Sequence, residues 1–167
     1  MLADGHAVVD PGQQVDGRFA AVSDPAGNAS PLTPDEVNRV LEQVFPGTGN
    51  TCAALSPSHA LACRDVDPTM LRPGAYVSGP TQFGLADAAL WYLVFGALGR
   101  IEPMALTSEL SIRFLRPAQG SVLWASASLA SGGSSSIVGS VKVWCDDRND
   151  KPSAVAQGTY VLPRRDG

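Results

Sequence analysis

The chain has 167 residues, 44% of them hydrophobic and 17% charged, and a formal net charge of −4. That length suits one domain with its own core, and that composition excludes a wholly disordered chain. There is no basic tail or stripe, which argues against a nucleic-acid partner, although a few arginines on an acidic protein are enough to hold a phosphate.

Residues 1–30 are rich in Gly, Ala, Asp and Pro and show no sustained period. They read as a flexible arm ahead of a single domain at 31–167. No basic segment followed by an apolar run opens the chain, so a cytoplasmic location is expected. Thr33-Pro34-Asp35-Glu36 is a capping box with proline at the first helical position. Val37, Val40, Leu41 and Val44 follow at helical spacing, and Pro46-Gly47 stops the helix. From Ser56 to Val77, Pro57, Pro68 and Pro73 restrict any strand to a short or edge one. One such strand is expected beyond Leu61.

Ser78-Gly79-Pro80 opens a second helix, and the apolar run Phe83 to Leu98 continues it. At 1.5 Å per residue that run spans about 25 Å, short of a hydrocarbon core of roughly 30 Å. It reads as a helix buried in protein on every side. The period then changes to two. Leu106, Leu110, Ile112 and Phe114 share one face of a strand, and Ser108 falls among them. Thr107, Glu109, Ser111 and Arg113 take the other face. Pro117 to Gly120 reads as a turn, and further strands are predicted at 122–129, 137–145 and 154–162. One apolar helix followed by a meander of antiparallel strands implies an α+β domain in which a curved sheet wraps the helix.

Asp87 is the one charge between Thr81 and Gly99. A carboxylate in such a setting is costly unless it is partnered, and perturbed carboxylates favour active sites. Gly79 lets a ligand approach the helix start, where free N–H groups suit a developing oxyanion. Asp87 lies about two turns further on, along a similar side, so a carbonyl held at the helix start could lie near it. Ser108 could orient water or the carboxylate, or simply make room for a neighbour. Arg72, Arg113 and Arg116 are candidate phosphate holders. Cys52, Cys63 and Cys145 lack metal-ligand spacing and read as free thiols. His6 and His59, the only histidines, have no ligand neighbours, which argues against metal-assisted and Ser-His-Asp chemistry.

Gly79-Pro80-Thr81-Gln82-Phe83-Gly84-Leu85-Ala86-Asp87-Ala88-Ala89, with Leu110-Ser111-Ile112-Arg113-Phe114-Leu115-Arg116-Pro117, resembles the hotdog-fold acyl-CoA thioesterases of the phenylacetate-pathway, PaaI-like branch. The likeness runs from about Leu61 to Leu162. It implies the hotdog fold, with Asp87 as catalytic carboxylate, Gly79 as donor to the thioester carbonyl and Ser108 as the hydroxyl of the following strand. It implies an acyl-CoA substrate, no cofactor beyond the substrate's own coenzyme A, and a homodimer or homotetramer with sites at the subunit interface. Ser78 stands here where the family commonly has His, and Arg72 where it tends to have Asn. Asp87 would attack the carbonyl or act as general base on water. The rival readings are a hotdog dehydratase, disfavoured by the lack of a nearby His, and a non-catalytic acyl-CoA sensor or scaffold.

Overall fold

The capping box forms as written. In a computed structural model that describes residues 30–164, Thr33 Oγ1 accepts from Glu36 N–H at 3.3 Å and Glu36 Oε2 accepts from Thr33 N–H at 2.7 Å. These bonds start helix α1, Pro34–Val44, which buries Val37 and Leu41. The expected N-terminal arm, apart from Ser30, lies outside the described residues, as does His6.

Helix α1 has a second task. Asn38 donates its side-chain amide to Cys52 O at 3.0 Å and accepts from Cys52 N–H at 2.8 Å. It thereby occupies the outer edge of strand β1, Thr51–Leu55, an edge that would otherwise invite a foreign strand. Strand β1 was not among the expected ones. Thr51-Cys52-Ala53-Ala54-Leu55 neither alternates nor is rich in β-branched residues, and its pairing is bulged between Cys52 and Ala54. It pairs with β2, His59–Asp65, which fills the first part of the segment expected from about Leu61 and lies between Pro57 and Pro68, but it is an interior strand between β1 and β6 and not an edge one.

The two-residue strands β3, Leu71–Arg72, and β4, Tyr76–Val77, form a small hairpin. Gly74 and Ala75 make its turn with φ of +89° and +58°, a region that Gly enters without strain and Ala does not. The hairpin delivers Ser78 to the start of helix α2, Gly79–Leu98. Gly99 ends that helix in the left-handed conformation, φ +63°.

Strands β5, Leu106–Phe114, β6, Val122–Gly132, β7, Ser136–Cys145, and β8, Ala154–Val161, match their expected positions to within a few residues. Their spatial order, β1-β2-β6-β7-β8-β5, does not follow a simple meander. Strand β2 runs along β6 from His59 opposite Ser128 to Asp65 opposite Val122. That edge of β6 is taken, so β5 crosses to the free edge of β8. Residues 115–121 are therefore a crossover and not a hairpin turn.

Helix α2 lies on one face of this sheet. Its Leu85, Ala86, Leu90, Tyr92, Leu93, Val94 and Phe95 are buried. The facing strands supply small residues, among them Ala125, Ala127, Ala154 and Ala156, also buried. Gly139 and Gly158 pair directly across β7 and β8. A Cβ at either would fall within 2.8 Å of a Leu90 methyl carbon. The bulky helix thus seats into a sheet floor of Ala and Gly, which allows close packing without voids. This is the hotdog fold, α+β, with an extra N-terminal helix. Among the described residues no helix is long and apolar enough to cross a membrane.

Burial governs the thiols. It pushes Cys52 from an ordinary 9.0 up to about 12, and Cys63 and Cys145 up to about 11. The fold favours the neutral thiol, so this contribution is fully present below the unfolded-state pKa near 9 and is lost as pH rises through 11 to 12. The urea midpoint should fall between about pH 8 and about pH 11. A midpoint that holds constant over that range would show that the thiols ionise as freely in the fold as outside it.

Candidate active site

Asp87 is partly buried near the middle of α2. Tyr160, from β8, donates its hydroxyl to Asp87 Oδ1 at 2.8 Å and lies 3.2 Å from the Asp87 backbone oxygen. Thr107, from β5, donates to the same Oδ1 at 2.8 Å. The carboxylate is thus partnered across the helix–sheet contact, as a charge at such a position requires. Tyr160 is 4% exposed, and burial, foremost, raises its phenol well above the usual range. It serves this carboxylate as a neutral donor.

Neither partner was anticipated, and a bulge explains why for Thr107. Leu106 pairs with Val161 and Thr107 with Tyr160, but the next pair is Glu109 with Thr159. Ser108 is the extra residue. An extra residue inverts the alternation on one side of it. Leu106 therefore points away from the core, 62% exposed, and Thr107 turns inward beside Tyr160. Ser108 spends its hydroxyl on Thr159 O at 3.3 Å, away from the carboxylate. The expected face of Leu106, Ser108, Leu110 and Ile112 holds only from Leu110 onward.

The start of α2 is tightly accounted for. Ser78 is its N-cap, with Oγ accepting from Thr81 N–H at 3.3 Å and 2.7 Å from Thr81 Oγ1. Gln82 N–H donates to Ser78 O at 3.2 Å, and Pro80 has no N–H. Among the described residues Gly79 N–H is the one donor of the first turn without a partner. The Phe114 ring packs beside the Gly79 Cα, 3.2 Å from where a Cβ would stand. Gly79 and Asp87 are eight residues apart on one helix, about 12 Å along its axis. One carbonyl cannot touch both groups of the same chain, contrary to the expectation that they serve a single site from one helix.

The helix is also less enclosed than expected. Pro80, Phe83 and Gly84 are exposed, and Asp87 and Ala88 are half-buried. Their spacing makes one stripe along α2. Beside it runs β5, whose outer edge has no strand partner among the described residues. Leu106, Phe114 and Leu115 on and after β5 are exposed at 62%, 50% and 45%, an apolar border to the same open side.

The three arginines part company. Arg72 is exposed on the small hairpin, and Arg113 is exposed on β5 opposite Val155. Arg116 lines a surface depression of about 500 Å³ together with Arg148, Lys151, Asp147, Asp150 and Ser153. One residue of its lining is tied to the first turn of α2. Ser153 Oγ donates to Gln82 Oε1 at 2.8 Å, and Gln82 Nε2 donates to Val77 O at 3.2 Å. Gln82 and Ser153 are 4% and 3% exposed, and their bond joins residues 71 positions apart. His59 only pairs its Nδ1 with Ser58 Oγ at 2.8 Å.

A family model described as the thioesterase superfamily matches residues 74–151, which span β4, α2 and strands β5 to β7. The chain is also 32% identical to a candidate thioesterase from Silicibacter sp. TM1040, over 80% of this chain and 93% of that one, with a TM-score of 0.71. This chain belongs to the thioesterase superfamily. Thioester hydrolysis is the general activity that membership in this superfamily supports. The same fold recurs in a Haemophilus influenzae thioesterase at 17% identity, with 80% and 92% of the two chains covered and a TM-score of 0.69. It recurs in the E. coli PaaI protein of the phenylacetic acid degradation operon at 20% identity, with 78% and 91% covered and a TM-score of 0.64. At those identities the likeness is one of fold. No curated protein matches the chain significantly.

Proposed function

We propose that this superfamily member hydrolyses acyl-coenzyme A thioesters, with Asp87 as its reactive carboxylate. The observation that carries the reading is a carboxylate set in an apolar helix, held by two hydroxyl donors on one oxygen and open on the helix's uncovered side. Gly79 N–H, at the positive end of the helix dipole, is the candidate donor to the thioester oxygen. Asp87 removes a proton from water as the water oxygen bonds to the carbonyl carbon. The carbon–sulfur bond then breaks and the thiolate takes that proton. Alternatively Asp87 attacks directly, the thiolate leaves, and water opens the resulting anhydride. Either course gives one free acid and one coenzyme A thiol.

Because Gly79 and Asp87 of one chain are about 12 Å apart, the working site is proposed to combine Gly79 of one copy with Asp87 of another. The open β5 edge and the stripe from Pro80 to Ala88 are the surfaces that support such a pairing. Light scattering at micromolar concentration should give at least twice the chain mass. A monomer mass would remove the basis for a shared site.

Coenzyme A as the thiol carrier is supported by the depression in which Arg116, Arg148 and Lys151 outnumber Asp147 and Asp150, a net positive lining for a polyanionic nucleotide. The test is a matched pair of thioesters with one acyl group, carried by coenzyme A or by N-acetylcysteamine. The coenzyme A ester should show a KM at least about tenfold lower, and Arg116→Ala should narrow that gap, since charge-assisted phosphate contacts are worth about 1.5–3 kcal/mol each. Equal KM values would mean that the nucleotide is not recognised.

A further inference from the structure

Tyr160 and Thr107 do more than satisfy a partly buried charge. Both land on Oδ1, at 2.8 Å each, and among the described residues no donor is placed on Oδ2. The torsion that swings an aspartate carboxylate is soft and broad, so on an uncovered helix face nothing intrinsic would keep the two oxygens distinct. Two donors from two strands do keep them distinct. The arrangement depends on the bulge, because only the extra Ser108 brings Thr107 opposite Tyr160 on the inward face. Burial, foremost, also raises the Tyr160 phenol, despite the opposing effect of Thr107, which favours Tyr160 as a neutral donor.

We infer that Tyr160 and Thr107 are positioning residues that lock Asp87 in one orientation and reserve Oδ2 as the oxygen that meets water or the thioester. The inference rests on the hydrolytic reading of Asp87. In the general-base course Oδ2 takes the water proton and returns it to the departing thiolate. In the nucleophilic course Oδ2 forms the bond to carbon as the carbon–sulfur bond breaks. Tyr160 and Thr107 keep their protons throughout.

Tyr160→Phe and Thr107→Val each delete the hydroxyl and keep the shape. Each should lower kcat by about 10- to 100-fold, the scale of a small misplacement of a reacting group, with KM within about twofold. Thr107→Ser should restore most of kcat. Thr107 is exposed, so its variants test the inference even if Tyr160→Phe folds poorly. A second readout needs no turnover. The infrared difference between wild type and Asp87→Asn isolates the Asp87 carboxylate bands, and these should move in both hydroxyl deletions. Unmoved bands would overturn the clamp even in a protein that hydrolyses normally. Moved bands with unchanged kcat would overturn the positioning role. Failure of the hydrolytic reading has its own signature, a wild-type protein that releases no thiol, and the positioning role falls with it.

Discussion

Asp87→Asn should lower kcat by at least about 10²- to 10⁴-fold, the range attributed to one acid–base group, while the protein stays folded. Asparagine is nearly isosteric, and its carbonyl oxygen can still accept from Tyr160 and Thr107 in place of Oδ1. The variant loses the charge, and with it both the capacity to take a proton from water and the capacity to attack carbon. Binding of the coenzyme A portion should survive, because the depression around Arg116 lies toward the helix start and not at Asp87. A thiol-release assay on wild type and variant, beside their melting curves, separates the two effects. Retained turnover in a folded Asp87→Asn protein would remove Asp87 from the reaction.

Gly96→Ala should strongly destabilise the fold. A Cβ there would stand 2.3 Å from Ser56 O, 3.2 Å from Ser56 C and 3.0 Å from Leu55 Cδ1. A leucine methyl can swing aside, but the Ser56 carbonyl belongs to the turn joining β1 and β2. That turn is held by Ser56 N–H on His59 O at 2.7 Å and by His59 N–H on Ser56 Oγ at 3.0 Å. Relief therefore requires the hairpin or the helix to shift as a unit. Overpacking of this kind costs about 3 kcal/mol or more, which for a chain of this size lowers Tm by roughly 6–12 °C. Gly133→Ala, in the β6–β7 turn, is the control. A Cβ there would meet only Ser136 O, at an ordinary 3.9 Å. Equal melting temperatures for the two variants would mean that α2 and the β1–β2 turn do not pack as described.

Much of this architecture was legible in the sequence, because the signals were local. The Thr33 to Glu36 capping box, the proline and glycines that bound α2, and the alternation along β6, β7 and β8 all act within a few residues. Asp87 stood out for the same reason, as one charge in an apolar run. The unread features are those decided at a distance. Strand β1 is held by Asn38 from another element, and β5 lies on β8 because β2 occupies the edge of β6. Tyr160 meets Asp87 across 73 positions of chain, and nothing near either residue announces the other. The bulge at Ser108 is the clearest case. A strict period of two assigns Ser108 to the carboxylate, and one extra residue hands that place to Thr107. The uncovered stripe on α2 was unread because an all-apolar helix says only that it must be covered, and not by which chain.

The central claim is that the wild-type protein hydrolyses acyl-coenzyme A, and free-thiol release from a panel of short, medium, long and aromatic acyl-coenzyme A esters tests it most directly. Turnover of at least one ester, with free acid and thiol formed in equal amounts, is the predicted result, and the preferred ester names the acyl class. A panel without turnover, in which the esters still raise the melting temperature, would contradict the claim and make the protein an acyl-coenzyme A binder on a hotdog scaffold.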